Sequence, residues 1–288
     1  MTKQMSDGKS PFLNSEAFEE LRASVRHRAR NDQCGILTYF DKWLLDQPAS
    51  WKGTKSDEWD DRQWIEEFAC RAAQGRFVRF AERATESAAA VQRTAEATSD
   101  IPDRIMMMSQ GTRGPVRWRG LPLFKCAFDL ALYTHLLDEM RPGSIFEIGS
   151  GSGASALWLA DMCNSLGTPC PVVSLDRRPP IVAHPNVTFI AGDSAAVAEC
   201  IPASMLTAAR RPMLVVEDAH ESVGEVLRHF ATHMQSGDRI VVEDSAAKQD
   251  VLCDFAAWAS DMFLVDTFYT DFFGHNATSA VNSFLVRS

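Results

Sequence analysis

Three glycines at alternate positions follow a short apolar run that contains an acidic residue. The stretch EIGSGSG places Glu147 two residues ahead of Gly149, and Gly151 and Gly153 follow at alternate positions. Glycines with this spacing let the backbone approach a ligand closely, and apolar residues with helical spacing begin directly after them. A strand, a glycine turn and a helix in this order predict a ligand-binding turn. The alternative is a turn whose glycines are purely structural.

The spacing of the glycines distinguishes between classes of ligand. A dinucleotide site has the pattern G-x-G-x-x-G and binds a pyrophosphate at the N-terminus of the helix, whereas this chain has G-x-G-x-G followed by Ala154. A carboxylate at Glu147 would repel a diphosphate, but it can pair with an ammonium or sulfonium group. The pattern therefore favours a cationic ligand.

Two later strand ends add the features of a nucleoside. The next apolar run ends at Asp176, about where an acidic residue accepts hydrogen bonds from a ribose diol, and the run after it ends in AGDS at 191–194, where a carboxylate or hydroxyl can meet an adenine amino group. A nucleoside that carries a sulfonium and no diphosphate is S-adenosylmethionine. The predicted cofactor-binding residues are Glu147, Gly149, Ser150, Gly151, Gly153, Asp176, Arg177, Gly192, Asp193 and Ser194.

A second acidic group stands at the ends of two further apolar runs. The first run ends in Glu217, Asp218 and His220, and the second ends in Glu243 and Asp244. Because neighbouring parallel strands end at the same edge of a sheet, we expect both pairs of carboxylates near the transferred methyl group. His220 is the predicted general base, with Asp218 beside it as a second catalytic residue. The alternative is that the carboxylates only cap the helices that follow.

Alternating strands and helices must position these residues. Strands that alternate with helices indicate right-handed crossovers and a parallel sheet covered on both faces. No helical segment separates the last two apolar runs, so we expect them to pair antiparallel. The prediction is an α/β fold with a Rossmann-like, doubly wound, seven-stranded sheet whose last strand is reversed. Its strands are predicted at 144–149, 171–176, 187–191, 213–218, 239–244, 262–268 and 282–287, and its helices at 154–166, 194–203, 222–235 and 246–260.

The first part of the chain has a different pattern. Apolar residues at intervals of three and four predict amphipathic helices from Ser15 to Asp46 and from Asp57 to Ala97, with Gly75 as a point where the second could divide. We predict an N-terminal helical segment over 1–105, which acts as a lid over the cofactor or as a dimerisation segment, and a catalytic domain over 106–288. The sequence does not choose between lid and dimer.

Composition limits the partners of the chain. Its net charge of −9 over 288 residues argues against nucleic acid, because nucleic-acid binding depends on basic surfaces. No apolar run approaches the roughly 20 residues of a membrane helix, and the polar N-terminus lacks the core of a secretory signal. The seven cysteines contain no CxxC pair, so we predict reduced thiols in a cytoplasmic protein. The expected partners are a small-molecule acceptor and further copies of the chain.

The motifs EIGSGSG, SLD and AGDS, in this order, resemble those of class I S-adenosylmethionine-dependent methyltransferases over about 145–288. Residues 110–250, with RWRGLPLFKCAFDLALYTHLLDEMRPGSIFEIGSGSGASALWLADM, VVEDAHES and GDRIVVEDS, are similar to the group of small-molecule O-methyltransferases that includes the cephalosporin hydroxylase and rhamnosyl O-methyltransferases. The resemblance implies methyl transfer to a hydroxyl of a small specialised metabolite, such as an antibiotic precursor.

The same resemblance implies a divalent metal, expected as magnesium, at Glu217, Glu243 and Asp244. The group often has Asp where this chain has Glu217, which puts the metal in doubt, and Asp218 is the alternative inward-facing residue. Three other functions stay open: N-methylation, another use of the sulfonium such as aminopropyl transfer or internal cyclisation, and cofactor binding without catalysis.

Overall fold

The computed structural model describes residue 23 and residues 75–83, 99–259 and 262–288. The chain divides into two compact units, Met1–Gly75 and Arg76–Ser288. Apart from Gly75, the residues described in detail belong to the second unit. The helices predicted between Ser15 and Asp46 lie outside the described residues, as does most of the segment predicted as helical from Asp57 to Ala97.

The second unit is built on one mixed sheet and a separate short hairpin. The strands are β1 (Phe77–Val78), β2 (Arg117–Trp118), β3 (Leu121–Pro122), β4 (Ser144–Ile148), β5 (Val172–Asp176), β6 (Val187–Ala191), β7 (Met213–Glu217), β8 (Arg239–Val242), β9 (Phe263–Asp266) and β10 (Phe284–Arg287). Strands β2 and β3 form the hairpin, and the sheet has the order β1-β9-β10-β8-β7-β4-β5-β6.

The centre of the sheet is parallel, as the sequence predicts. Strand β4 pairs in parallel with β5 and β7, and β8 extends the parallel part beyond β7. All five residues of β4 and of β7 are buried, because helices cover both faces of the sheet. Strand β10 is antiparallel to both β8 and β9, which confirms the reversed last strand. The carboxyl ends of β4, β5, β7 and β8 therefore share one edge.

The helices in the described ranges differ from the predicted ones mainly at their ends. They include α1 (Asp103–Ser109), α2 (Ala127–Met140), α3 (Ala154–Ser165), α4 (Val197–Cys200), α5 (Ala203–Ala208), α6 (Val223–Ala231), α7 (Gln249–Ala259) and α8 (Thr267–Thr270), with 3-10 turns at Ser194–Ala196 and Ser245–Lys248, and residues 80–83 are helical as well. The helix predicted over 194–203 is instead a 3-10 turn followed by the short helix α4, and Pro202, which lacks the N–H that a continuous helix needs, separates α4 from α5.

Three features differ from the sequence-based expectation. The sheet has eight strands rather than seven, because β1 adds to its edge by pairing with β9, within a segment predicted as helical. For the same reason the unit that carries the sheet begins at Arg76, earlier than the boundary expected at 106. Helix α2 was not predicted, although five of its apolar residues are buried: Leu132, Tyr133, Leu136, Leu137 and Met140.

The described residues also bear on the predicted state of the cysteines and on the absence of a predicted membrane helix. Cys126, Cys163, Cys170, Cys200 and Cys253 are free thiols. Among the described residues, none of the helices combines the length and the apolar composition that crossing a membrane requires. The role of residues 1–105 as lid or dimerisation segment stays a prediction.

Candidate active site at the edge of the sheet

The glycine turn after β4 joins three strand ends. Gly149 adopts a φ of 103°, and a Cβ atom there would lie 2.7 Å from the backbone C and O atoms of Asp218, in the loop after β7. Gly151 adopts a φ of 48°, and its N–H donates to Asp176 Oδ2 at 3.0 Å, at the end of β5. The turn therefore needs glycine at Gly149 for close backbone approach, and Asp176 holds it from the neighbouring strand.

A cavity of about 350 Å³ opens above this turn. Its volume lies within the range of small-molecule sites. Seven of the predicted cofactor residues line it, together with both predicted catalytic residues and one predicted metal ligand: Gly149, Ser150, Gly151, Asp176, Arg177, Gly192, Ser194, Asp218, His220 and Asp244. The structure thus brings the glycine turn and the acidic group to one cavity, although they are far apart in sequence.

Three predicted cofactor residues have other surroundings. Glu147 is fully buried behind the turn, where its Oε2 accepts a hydrogen bond from Ser174 Oγ at 2.5 Å. Gly153, with a φ of 81°, begins α3, and a Cβ atom there would lie 2.6 Å from Pro180 Cγ, so this glycine serves close packing. Asp193 caps the 3-10 turn by accepting from Ala195 N at 2.9 Å. These three residues are not among those that line the cavity.

Two buried polar atoms near the turn have unused hydrogen-bonding capacity. Glu147 Oε1 and Ser155 Oγ are buried, and neither has a hydrogen-bond partner among the described residues. Burial raises the pKa of Glu147, and the nearby Lys125 ammonium opposes that rise. Ser155 also lines the cavity. The Ser155 hydroxyl lies close enough to Glu147 to lower the pKa of that carboxyl, so the two atoms adjoin one another at the wall of the cavity.

Asp218, His220 and Asp244 form a cluster at the cavity. Each offers one ligand atom, and these atoms lie within 4.8 Å of one another. His220 Nε2 is 3.6 Å from Asp218 Oδ1 and 3.6 Å from Asp244 Oδ2. His220 and Asp244 both have left-handed backbone conformations, with φ of 63° and 46°. Such residues each cost on the order of 1–3 kcal/mol and concentrate at functional sites.

Of the expected metal ligands, Asp244 belongs to this cluster, whereas Glu217 and Glu243 lie outside it. Glu217 is fully buried, where Oε2 accepts from Lys248 Nζ at 2.9 Å and Oε1 accepts from the backbone of Ala219 at 3.0 Å. Glu243 Oε1 accepts from Lys125 Nζ at 2.5 Å. Each glutamate is thus held by a buried lysine.

In their place, Asp218 faces the cavity, which was the alternative left open by the sequence. Burial raises the pKa of Asp218, and the carboxylates of Glu243 and Asp244 raise it further, while Lys125 opposes the rise. Negative charge is therefore in excess around this residue. The arrangement fits a positively charged ligand.

Sequence reasoning missed Lys125 and Tyr133. Lys125 lies just before α2, is 2% exposed and lines the cavity. The hydroxyl of Tyr133, on α2, donates to Glu243 Oε1 at 2.5 Å, the oxygen that Lys125 also contacts. Both contacts cross more than a hundred residues of sequence, so no local pattern marks them. The only signal was the position of Lys125 in the stretch FKCAFD, directly before an apolar helix.

The chain matches a protein family and several curated proteins. The family model described as Rhamnosyl O-methyltransferase/CmcI matches residues 111–264. The Rhamnosyl O-methyltransferase of Mycobacterium leprae is 30% identical over 137 residues, which are 44% of this chain and 59% of that protein. The Rhamnosyl O-methyltransferase of Mycobacterium bovis (strain BCG / Pasteur 1173P2) is 27% identical over 192 residues, which are 59% of this chain and 78% of that protein.

Solved structures agree on the fold. The "CmcI-N160 apo-structure" has a TM-score of 0.54 and 23% sequence identity, and the match covers 62% of this chain and 78% of that one. The structure "cmcI-D160 Mg-SAM" has a TM-score of 0.52, 23% identity and the same coverage. At this level of identity, the likeness establishes a Rossmann-like α/β fold.

Proposed function

The chain belongs to the Rhamnosyl O-methyltransferase/CmcI family, and from that premise we propose that it transfers a methyl group from S-adenosylmethionine to a hydroxyl of a small specialised metabolite. The observation that carries this proposal is the single cavity that the glycine turn, Asp176 and the cluster of Asp218, His220 and Asp244 all line. A cofactor site and a set of proton acceptors share that cavity, as methyl transfer to a hydroxyl requires.

The cofactor fits the polar groups of the cavity. Asp176 offers carboxylate oxygens to a ribose diol, and the Ser155 hydroxyl lines the cavity beside the glycine turn. The buried carboxylate of Glu147 adds negative charge behind the turn, which favours a sulfonium over a phosphate. When bound, S-adenosylmethionine supplies a methyl group on a positively charged sulfur. We assign the predicted cofactor-binding set to this role, with Gly153 and Asp193 acting through the shape of the turns.

The chain's own residues would deprotonate the acceptor. His220 Nε2 is the proposed base that takes the proton of the acceptor hydroxyl, and the carboxylates of Asp218 and Asp244, each 3.6 Å away, would stabilise the imidazolium that forms. Proximity would supply most of the acceleration, because the proposed base and the cofactor-binding turn line the same cavity.

The acidic cluster also fits a divalent cation. Asp218 and Asp244 supply the oxygen ligands that magnesium prefers, and the negative charge around Asp218 is in excess. A relative by fold is described with magnesium and the cofactor together. Such a cation would act as a Lewis acid that lowers the pKa of the acceptor hydroxyl. We propose Asp218 and Asp244 as its carboxylate ligands.

The proposal is tested by product analysis and by two substitutions. Incubation with S-adenosylmethionine and a panel of hydroxylated metabolites should yield S-adenosylhomocysteine and an O-methylated product. Methylthioadenosine would instead indicate transfer of the aminopropyl chain or cyclisation, an N-methylated product would indicate an amine acceptor, and binding without turnover would indicate a non-catalytic protein.

Asp218→Asn and His220→Gln should each lower kcat about 10²–10⁴-fold, the typical contribution of general acid–base groups. Calorimetry should show that their affinity for S-adenosylhomocysteine is unchanged, because neither residue belongs to the glycine turn. His233→Gln is the matched control, since His233 is outside the residues that line the cavity. Wild-type turnover by both Asp218→Asn and His220→Gln would contradict the assignment.

A further inference from the structure

The acidic group holds a buried ammonium that the proposed function does not use. Lys125 Nζ donates to Glu243 Oε1 at 2.5 Å and lies 3.7 Å from Asp218 Oδ2. The same side chain lines the cavity although it is almost fully buried. Lys125 therefore touches a buried structural carboxylate on one side and a cavity carboxylate on the other.

The charge of Lys125 is fixed by its surroundings. Burial alone would lower the pKa of this lysine, but the carboxylates of Glu243, Asp218 and Glu147 together raise it above its ordinary value. The Tyr133 hydroxyl donates to the same Glu243 oxygen, and its ring centroid lies 5.3 Å from Nζ. A lysine with this many acidic neighbours stays an ammonium, and it has little freedom to move.

The position of this ammonium bears on the metal. Glu243 is the carboxylate that the sequence proposed as a ligand, and the lysine occupies one of its oxygens. Asp218 and Asp244 remain at the cavity with His220 between them. A cation bound there would lie close to a fixed positive charge, which would repel it.

We propose that Lys125 is a positioning residue that sets how tightly the cavity binds a divalent cation: it satisfies Glu243, keeps the cation away from that carboxylate and leaves Asp218 and Asp244 as the ligands. This inference rests on the metal in the proposed function. Its direct consequence is that removal of the ammonium tightens metal binding. Removal of a group that supports a metal ligand typically lowers metal affinity by about 10–100-fold, and we expect a gain of about tenfold when the group removed is a repelling charge.

The test is a titration with Mn²⁺, followed by the electron paramagnetic resonance signal of the free ion, on the full chain without acceptor. Lys125→Met should bind Mn²⁺ about tenfold more tightly than the wild type or better. Lys125→Arg keeps the charge and should restore an affinity close to that of the wild type. Tyr133→Phe is the matched control, because it removes the other donor to Glu243 Oε1 and leaves the charge unchanged.

Several outcomes would overturn the inference. The first is that Lys125→Met binds Mn²⁺ no more tightly than the wild type. The second is that Tyr133→Phe increases the affinity for Mn²⁺ as much as Lys125→Met does. If neither the wild type nor Lys125→Met binds Mn²⁺, the inference is also wrong. Calorimetry with S-adenosylhomocysteine and the product analysis decide the proposed methyl transfer separately, so the two failures can be told apart.

Loss of the lysine leaves a buried glutamate without its partner, which could prevent folding. The double variant Lys125→Met/Glu243→Gln removes both charges and is compared with Glu243→Gln alone. The double variant should bind Mn²⁺ about tenfold more tightly than the single one, since only the ammonium differs. Equal affinity of these two variants would overturn the inference even where Lys125→Met does not fold.

Discussion

Gly149 connects the glycine turn to the loop that carries Asp218, and Gly149→Ala tests that connection. The added Cβ atom would lie 2.7 Å from the carbonyl C and O atoms of Asp218 and 2.8 Å from the N atom of Ala219. None of these three contacts can be relieved by rotation of a side chain, because all three atoms belong to the backbone. The φ of 103° adds strain, since side-chain-bearing residues rarely adopt it.

The expected cost follows from these two terms. A left-handed conformation costs a residue other than glycine about 1–2 kcal/mol, and an overpacked contact costs about 1–3 kcal/mol. We expect Gly149→Ala to lose about 2–5 kcal/mol of unfolding free energy, so that Tm falls by roughly 4–20 °C at about 2–4 °C per kcal/mol for a unit of this size. The displaced Asp218 loop should also reduce turnover.

Gly151→Ala is the matched control in the same turn. A Cβ atom at Gly151 would meet nothing within 4 Å, and its φ of 48° is a left-handed value that alanine tolerates at about 1–2 kcal/mol. Thermal unfolding followed by circular dichroism should therefore show a Tm loss at Gly149 at least twice that at Gly151. If the Tm of Gly149→Ala lies within about 2 °C of that of Gly151→Ala, a difference of about 1 kcal/mol or less, then the backbone contact does not constrain the turn.

Two further predictions concern the binding of the cofactor and the ion pair that joins residues 75–83 to residues 262–288. Asp176→Asn should weaken S-adenosylhomocysteine binding about tenfold or more, because hydrogen bonds to a charged group contribute about 1.5–3 kcal/mol, and unchanged affinity by calorimetry would remove Asp176 from the site. Arg83 donates to both carboxylate oxygens of Asp271, at 2.7 and 2.8 Å, and although burial opposes it, Arg83 lowers the pKa of that carboxyl. A carboxyl with a lowered pKa stabilises the fold above its unfolded pKa of about 3.9, and this stabilisation is lost as the pH falls through the folded pKa. Arg83→Met should therefore cost about 3–5 kcal/mol of unfolding free energy at pH 7 and clearly less at pH 3. Equal losses at the two pH values in urea unfolding would contradict this prediction.

The parallel centre of the sheet could be predicted because its strands are continuous apolar runs. Burial on both faces requires such runs, and β4 and β7 are buried throughout. Strand β1 could not be predicted, because Phe77–Val78 is two residues long and its pairing with β9 crosses most of the chain. The break at Pro202 could have been predicted, because proline ends a helix at the preceding residue, but the predicted helix over 194–203 included it.

The position of the cavity could be predicted from the sequence, because the carboxyl ends of neighbouring parallel strands lie at one edge of the sheet. Lys125 could not, because its partner Glu243 is 118 residues away and a single lysine before a helix has no characteristic spacing. The same holds for Tyr133, whose hydroxyl reaches Glu243 from α2. Contacts of this kind depend on how a helix packs over the sheet, which the local pattern does not contain.

The choice between the members of each acidic pair illustrates where sequence reasoning stops. Glu217 and Asp218 are neighbours, as are Glu243 and Asp244, and adjacent side chains at a strand end point in opposite directions. The sequence therefore limits each cavity carboxylate to one of two residues. The buried lysines decide between them: Lys248 holds Glu217 and Lys125 holds Glu243, so the aspartates are left at the cavity. Because burying an unpaired charge is costly, each glutamate can be buried only with a lysine in direct contact, at 2.9 Å for Glu217 and 2.5 Å for Glu243.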